Sequence, residues 1–200
     1  GFLDDYAFCI EAFVVLYEAT FDEQWAYEAK RLLDEAIARF YDDGAAAFYY
    51  TAAKAEPLIA RKYEIMDNVI PSSNSTIVRQ LHRLGLLFDE MRYTSIGAQV
   101  LANVVPQIDS YGSAYSNWAI QLLDTVFSLN EVVLTGPDWL ALRKELDKYY
   151  VPNKITLGGT KGTLPLLAGR VGSDTQAYVC RNKACSLPVA TAAELLKLIL

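Results

Sequence analysis

The spacing of apolar residues over the first 130 residues constrains the fold more than any other feature of this sequence. From Tyr6 to Tyr17, apolar residues follow one another at intervals of four, three and four, which places them on one face of a helix. The same spacing continues in four later segments, at residues 25–40, 77–88, 93–104 and 115–129. A short strand is expected at Phe48–Thr51, followed by an irregular stretch to about Ser73. Five helices with alternating short and longer links predict stacked antiparallel pairs.

The pattern changes after residue 130. A β-branched run that ends at Gly136 predicts a strand, a helix opens at Pro137, and a second strand follows at Lys154–Gly159. A strand, a helix and a strand within about 30 residues indicate a parallel crossover unit. Two more elements are expected near the C-terminus, a strand at 177–180 and a helix at 192–199. The predicted fold is mainly α, with a helical-hairpin body over residues 1–130 and a small α/β segment over residues 131–200.

The charge balance argues against two classes of partner. The 200 residues include 18 lysines and arginines against 24 acidic residues, a formal net charge of −6. Without a basic cluster, neither nucleic acid nor an anionic membrane surface is predicted as a partner. No apolar run approaches the roughly 20 residues of a membrane-spanning helix. Three cysteines, an odd number, argue against a disulfide framework and favour a reducing compartment, so the predicted location is the cytoplasm.

Residues 61–75 form the most polar and least periodic stretch, and a loop this long in a helical domain is typical of a functional segment. Ser72, Ser73 or Asn74 can cap the following helix, where free backbone N–H groups would point toward a ligand. The mixture of donors and acceptors suits a polyhydroxylated or anionic small molecule. The predicted binding residues here are Arg61, Lys62, Asn68, Ser73 and Asn74, and the predicted catalytic residue is Asp67. The alternative is structural, with a simple helix cap and Asp67 paired to Arg61 or Lys62.

Two adjacent acids at the start of the first helix are the second candidate. Asp4 or Asp5 would act as a general acid or base if burial raised its pKa, whereas the structural alternative is capping of the helix. Glycoside chemistry needs two carboxylates roughly 5–10 Å apart. Either acid, together with Asp67 or Glu64, could supply that pair. Asp4, Asp5 and Asp67 are therefore the predicted catalytic residues, and Tyr6 is a further binding residue.

Three other motifs predict no cofactor or metal. His82 is the sole histidine, so a multi-histidine metal site is excluded and a surface or helix-packing role is favoured. Cys180 and Cys185 are separated by four residues, which favours a structural thiol pair or a local disulfide over a regulatory redox pair. The glycine-rich stretch at 158–163 lacks the spacing of a phosphate-binding loop and predicts a flexible loop.

Several segments together resemble one known family. They are Asp4-Asp5-Tyr6-Ala7, Tyr17-Glu18-Ala19-Thr20, Arg61-Lys62 leading to Asp67, Pro71-Ser72-Ser73-Asn74-Ser75, Glu131-Val132-Val133, and Tyr178-Val179-Cys180 through Cys185-Ser186-Leu187-Pro188-Val189. In this order they resemble the thioredoxin-domain-containing family that includes spermatogenesis-associated protein 20. The resemblance implies a thioredoxin-like domain followed by an (α/α) toroid, similar to six-hairpin glycosidases and N-acylglucosamine 2-epimerases. This chain, which does not begin with Met, looks like the C-terminal portion alone.

The resemblance turns the candidate residues into a hypothesis about function. Asn68 and Ser73 stand where glycines are common in the family, and both are small and polar, so the loop geometry is expected to be kept. The chain is expected to be part of a carbohydrate-active-like toroid that binds or processes a sugar, with the start of the first helix beside the loop at residues 71–74. Hairpin faces that lack the rest of the toroid would be exposed and would favour homo-oligomers. The alternatives are a non-enzymatic scaffold for the thioredoxin-like domain, in redox or protein-partner work, and a helical interaction module.

Overall fold

The computed structural model describes residues 1–54 and 60–199. They divide into two compact units, one formed by residues 1–16 and 24–123 and the other by residues 17–23 and from residue 124 onward. Most regular elements are helices, so the prediction of a mainly α fold is confirmed. The division predicted at residue 130 stays a prediction. In the structure the early segment at residues 17–23 groups with the later part of the chain.

The five predicted helices are all present. The elements as far as residue 126 are α1 (Leu3–Thr20), α2 (Glu23–Phe40), β1 (Tyr41–Asp42), β2 (Ala47–Phe48), α3 (Ser73–Leu87), α4 (Met91–Ile108) and α5 (Ser116–Val126), with a 3₁₀ turn at Gly112–Ala114. β1 and β2 form an antiparallel hairpin, and β2 is shorter than the strand predicted at 48–51. Beyond it, Tyr49 forms an isolated bridge to Tyr63, and no further strand pairing extends β2 among the described residues.

α3 and α4 pack against each other over a three-residue link. Gly85 permits the close approach, because a Cβ added there would lie 2.6 Å from Thr94 Cγ2. α4 also continues through Pro106 to Ile108, whereas the sequence pattern placed its end before the proline. Proline removes one helical N–H, and the carbonyl deprived of it belongs to Ala102, which is exposed. Water can therefore satisfy that carbonyl, and the last turn of the helix persists.

The second unit contains the sheet that the sequence predicted. Its elements are β3 (Asn130–Thr135), α6 (Trp139–Leu146), β4 (Lys154–Gly159), a 3₁₀ turn at Pro165–Leu167, β5 (Gln176–Arg181), β6 (Ala184–Cys185) and α7 (Ala192–Ile199). The strand order is β4-β3-β5-β6. β3 pairs parallel with β4 across α6, which confirms the crossover unit, and antiparallel with β5. β6 was not predicted.

The glycine-rich stretch divides between strand and loop. Gly158 lies opposite Leu134 in the register of β3 and β4, and a Cβ added to it would lie 1.8 Å from the Leu134 carbonyl oxygen. Only glycine therefore fits at that point in the sheet. After β4 ends, the backbone N–H groups of Thr163 and Leu164 donate to the Glu23 carboxylate at 2.7 and 3.0 Å, so this loop is held by a specific anchor.

None of the helices within residues 1–54 and 60–199 combines the length and the apolar character needed to cross a bilayer.

Candidate functional site

Asp67 is the most constrained of the predicted site residues. Its carboxylate is buried, and Oδ1 accepts hydrogen bonds from Ser72 N at 2.9 Å and Ser75 Oγ at 2.8 Å. Oδ2 accepts from Asn117 N at 2.9 Å. The side chain therefore joins the start of α3 to the start of α5, which the sequence could not indicate because fifty residues separate Asp67 from Asn117.

The same corner shows which residue caps α3. Ser72 is the N-cap: its backbone is extended and its Oγ accepts from Ser75 N at 3.1 Å. The N–H groups of Ser72 and Ser73 donate to the carboxylates of Asp67 and Glu64, the second bond at 3.1 Å. These are the N–H groups expected to face a ligand, and the protein's own carboxylates already occupy them. We call Asp67 and residues 72–75 the α3 corner.

Asn74 is also satisfied inside the fold. Its side chain is fully buried, and Oδ1 accepts from Phe48 N at 2.8 Å while Nδ2 donates to Phe48 O at 2.8 Å and Glu64 O at 3.0 Å. The amide thus satisfies both backbone groups of Phe48, as a neighbouring strand would. Each of these contacts is internal to the protein, but the partners of Asp67 are Ser72, Ser75 and Asn117, whereas the structural alternative paired it with Arg61 or Lys62. A binding role for Asn74 or for Ser73, which is equally buried, stays a prediction.

Arg61 belongs to a stack of side chains. Its guanidinium lies 3.7 Å from the centre of the Tyr49 ring and donates to Thr51 O. Tyr49 stacks on Tyr63 at 4.3 Å, and the Tyr63 hydroxyl donates to Asp42 Oδ2 at 2.6 Å. Partial burial and then this hydrogen bond raise the pKa of Tyr63, and the same bond lowers the pKa of Asp42. Arg61 therefore has partners other than Asp67, while Lys62 is exposed.

The start of α1 lies beside the segment that follows β2. The Tyr50 hydroxyl donates to Asp4 Oδ2 at 3.0 Å, and Tyr50 N donates to Lys62 O at 2.8 Å. Asp5 is exposed and accepts from Phe2 N at 2.8 Å, in the manner of a helix cap. The Tyr6 hydroxyl donates to Glu35 at 3.1 Å. Burial first and the carboxylate second raise the pKa of both phenols, Tyr6 and Tyr50.

The predicted residues thus fall into two neighbouring groups along one extended stretch of chain. Asn74 of the α3 corner bonds the backbone of Phe48, and two residues further on Tyr50 bonds the start of α1. Both groups flank the same short segment, but their polar atoms mostly bond to other side chains and to backbone groups of the protein. Their assignment to a sugar site stays a prediction.

A cavity of about 650 Å³ lies between the loop before β2, residues 63–68 and α4. Its polar wall consists of Tyr63, Glu64, Asn68, Asn103, Gln107 and Tyr115, and Val100 and Val104 of α4 supply an apolar surface. We call this cavity the α4 groove. Of the predicted binding residues it includes Asn68. A neighbouring cavity of about 510 Å³ shares Met66 and Asn68 with it and adds Asp67 and Tyr111.

Local contacts hold the wall of the α4 groove in place. Asn103 Nδ2 donates to Ala45 O at 3.0 Å, which ties the β1–β2 loop to α4. The Tyr115 hydroxyl donates to Gln107 Oε1 at 2.9 Å, so the amide nitrogen of Gln107 is turned away from that bond. A carboxylate, three amides and two phenols over aliphatic side chains can bind a molecule that has hydroxyls at its edge and an apolar face.

Sequence reasoning missed the α4 side of this groove. Asn103 and Gln107 are one helical turn apart, and Val100 and Val104 share their side of α4. Two amides at that spacing beside an apolar stripe were the available signal. What connects them to Glu64 is packing between distant parts of the chain, which residue patterns do not encode.

The described residues contain no group of three or more histidine, cysteine, aspartate and glutamate side chains placed to hold a metal ion. His82 lies on α3, and burial, followed by the charge of Arg83, lowers its pKa.

Comparison with known proteins points to the family indicated by the sequence. Over 213 aligned residues the chain is 28% identical to spermatogenesis-associated protein 20 from Homo sapiens, and equally to the proteins of that name from Rattus norvegicus and Mus musculus. Each alignment covers 100% of this chain but 27% of the relative, so the chain spans about a quarter of the length of these curated relatives. No family model matches the chain.

Proposed function

We propose that this chain binds a neutral sugar or polyol in the α4 groove. The observation that carries the proposal is the wall of a cavity of about 650 Å³, where amide, carboxylate and phenol groups stand over aliphatic side chains. Small-molecule sites commonly occupy about 300–1,000 Å³ and combine apolar walls with a few placed polar groups. The groove has this size and this composition.

The groups of the wall match the chemistry of a sugar ring. Ring hydroxyls both donate and accept hydrogen bonds, and Asn103 and Gln107 carry amides that do the same. The Glu64 carboxylate accepts from Ser73 N through Oε2, and its other oxygen, Oε1, can accept from a ring hydroxyl. The C–H face of a ring can pack on Val100 and Val104.

Charge favours a neutral ligand over an anionic one. Glu64 places a carboxylate in the wall, and within the part of the chain that the structure describes no lysine or arginine lines the groove. The chain as a whole has a formal net charge of −6. A phosphate or carboxylate ligand would therefore meet repulsion without a compensating cation.

The proposal is one of binding. Asp67 is held by three hydrogen-bond donors at the α3 corner, and Asp4 and Asp5 bond to groups around the start of α1. A catalytic role for these three carboxylates, in either hydrolysis or isomerisation, stays a prediction from the sequence.

We place the groove in a longer protein. The relatives are several times the length of this chain, and the family resemblance implies a helical toroid preceded by a thioredoxin-like domain. In this proposal the five helices are part of the C-terminal side of that toroid, and the α4 groove contributes one wall of its ligand site. The scaffold alternative predicts no saturable sugar binding at all.

The experiment is a titration of the chain with a panel of neutral mono- and disaccharides, in which binding is measured by calorimetry or by amide chemical shifts. We expect saturable binding of at least one sugar, with shifts concentrated at residues 100–107 and 63–68. Gln107→Ala should weaken that binding about tenfold, which corresponds to the loss of roughly one hydrogen bond to the ligand.

Gln99→Ala is the matched control, since Gln99 lies two turns earlier on α4 and outside the groove wall. It should leave affinity within about twofold of the unsubstituted chain. Absence of binding across the panel, or equal effects of the two glutamine substitutions, would contradict the proposal.

A further inference from the structure

The hairpin of β5 and β6 holds two cysteines opposite each other. Cys180 pairs with Cys185 in the strand register, and the next pair outward, Val179 and Ser186, is joined by a backbone hydrogen bond of 2.9 Å. The cysteines therefore occupy a non-hydrogen-bonded position, where cross-strand side chains come closest. Their sulfurs form a disulfide bond.

The turn, and not the disulfide, sets this register. Asn182 and Lys183 form a two-residue loop with φ of 50° and 67°, and a type I′ hairpin turn requires positive φ at both positions. The bonded cysteines are only five residues apart in sequence. Closing so short a loop gains the least entropy, so the bond adds little to what the turn already imposes. After reduction the two thiols remain neighbours.

The two sulfurs have different surroundings. Cys180 is fully buried on β5, whereas Cys185 is partly exposed. Arg170 Nη2 donates to Cys185 Sγ at 3.3 Å, and Nη1 donates to Leu166 O at 2.8 Å. The guanidinium also lies 5.5 Å from the centre of the Tyr178 ring. A cation held in this way stabilises negative charge on the accessible sulfur.

We propose that Cys180–Cys185 is a redox-active disulfide that exchanges electrons with a dithiol partner. When the disulfide is reduced, the partner attacks the sulfur of Cys185; when the dithiol is oxidised, Cys185 is the attacking thiolate. Cys180 is the resolving cysteine. This site is independent of the sugar-binding proposal, because every residue that forms it belongs to the second unit.

The exchange proceeds in two displacements. A thiolate of the partner dithiol attacks Cys185 Sγ, the bond to Cys180 Sγ breaks, and its electron pair leaves on Cys180, which takes up a proton. The partner's second thiol then loses its proton and attacks the partner's first sulfur, which is bonded to Cys185 in the mixed disulfide. This step releases Cys185 as a thiolate beside Arg170. The hairpin gains two electrons, and the partner becomes a disulfide. In the reverse direction the Cys185 thiolate attacks a disulfide and Cys180 resolves it.

The test uses the chain with Cys9→Ser, because Cys9 is an exposed free thiol that would also react. Equilibration in dithiothreitol buffers, alkylation and mass measurement should show full and reversible conversion between disulfide and dithiol. Circular dichroism should be unchanged by reduction. Loss of folded structure on reduction would identify a structural bond and overturn the proposal, as would a disulfide that resists the reductant.

Single-cysteine variants test the roles of the two sulfurs. With Cys9→Ser and Cys180→Ser, Cys185 should react with an aromatic disulfide at least about tenfold faster than Cys180 does in the Cys9→Ser, Cys185→Ser chain. Adding Arg170→Gln should slow Cys185 at least about threefold, whereas Arg181→Gln, the same change on the hairpin itself, should not. Equal reactivity of the two cysteines, or equal effects of the two arginine changes, would overturn the assignment.

Discussion

The α3 corner and the α4 groove are both rich in polar side chains, yet they use them in opposite ways. At the corner, Asp67 and Asn74 are buried and bond to backbone groups of neighbouring segments. In the groove, Asn103 and Gln107 bond locally and still border a cavity of about 650 Å³. Polar composition therefore locates both regions, but the direction of each side chain decides which one holds the chain together and which one can meet a ligand.

The largest expected difference is between two substitutions of the same kind. Asn74→Ala removes a buried amide that bonds both backbone groups of Phe48, so it should lower the free energy of unfolding by about 3 kcal/mol. Asn103→Ala removes an exposed amide that bonds Ala45 O, and it should cost less than about 1 kcal/mol. Urea unfolding followed by circular dichroism measures both. Similar losses would erase the distinction between corner and groove.

Asp67→Asn addresses the carboxylate of the corner. An amide can still accept from Ser72 and Ser75 through its oxygen, but its NH₂ group then faces Asn117 N, a second donor. We expect a loss of about 2 kcal/mol in unfolding free energy. Asp109→Asn, at an exposed position after α4, is the control and should change stability by less than about 0.5 kcal/mol. If Asp67→Asn is as harmless as its control and abolishes sugar binding, Asp67 acts on a ligand.

These contacts also show what the sequence could and could not predict. Apolar spacing located α1 to α5, and the run that ends at Gly136 located β3, because both signals lie within one element. The sequence also placed polar chemistry at Asp67 and Asn68. It could not show that Asn117 would donate to Asp67 or that Gln107 would share a wall with Glu64, since such contacts depend on how distant segments pack.

Acid pH gives a third comparison, because His82 lies on α3 and has no counterpart in the groove wall. Burial lowers the pKa of His82 in the folded chain, so the unfolded chain binds its proton first as pH falls. The contribution of neutral His82 to the free energy of unfolding is complete above about pH 6.5, the ordinary histidine pKa. It should decline as the pH falls from there toward the lower pKa of the folded chain. Melting temperatures at pH 7 and pH 5 measure this, and His82→Gln should flatten the decline. An unchanged pH dependence in the variant would assign acid sensitivity to other groups.

Ser73→Ala should have the smallest effect and the opposite sign. Ser73 Oγ is buried without a hydrogen-bond partner, although the backbone N–H of the same residue bonds Glu64. Alanine keeps that backbone bond and removes the unpaired hydroxyl, so we expect unchanged stability or a gain of up to about 1 kcal/mol. Sugar binding should not change, because a fully buried hydroxyl cannot touch a ligand in the groove. Ser72→Ala is the contrasting change: it removes the α3 cap and should cost about 1 kcal/mol. If Ser73→Ala instead weakens sugar binding, the corner and the groove are parts of one site. The Ser73 hydroxyl, which has no partner within the protein, would then form its hydrogen bond with the ligand.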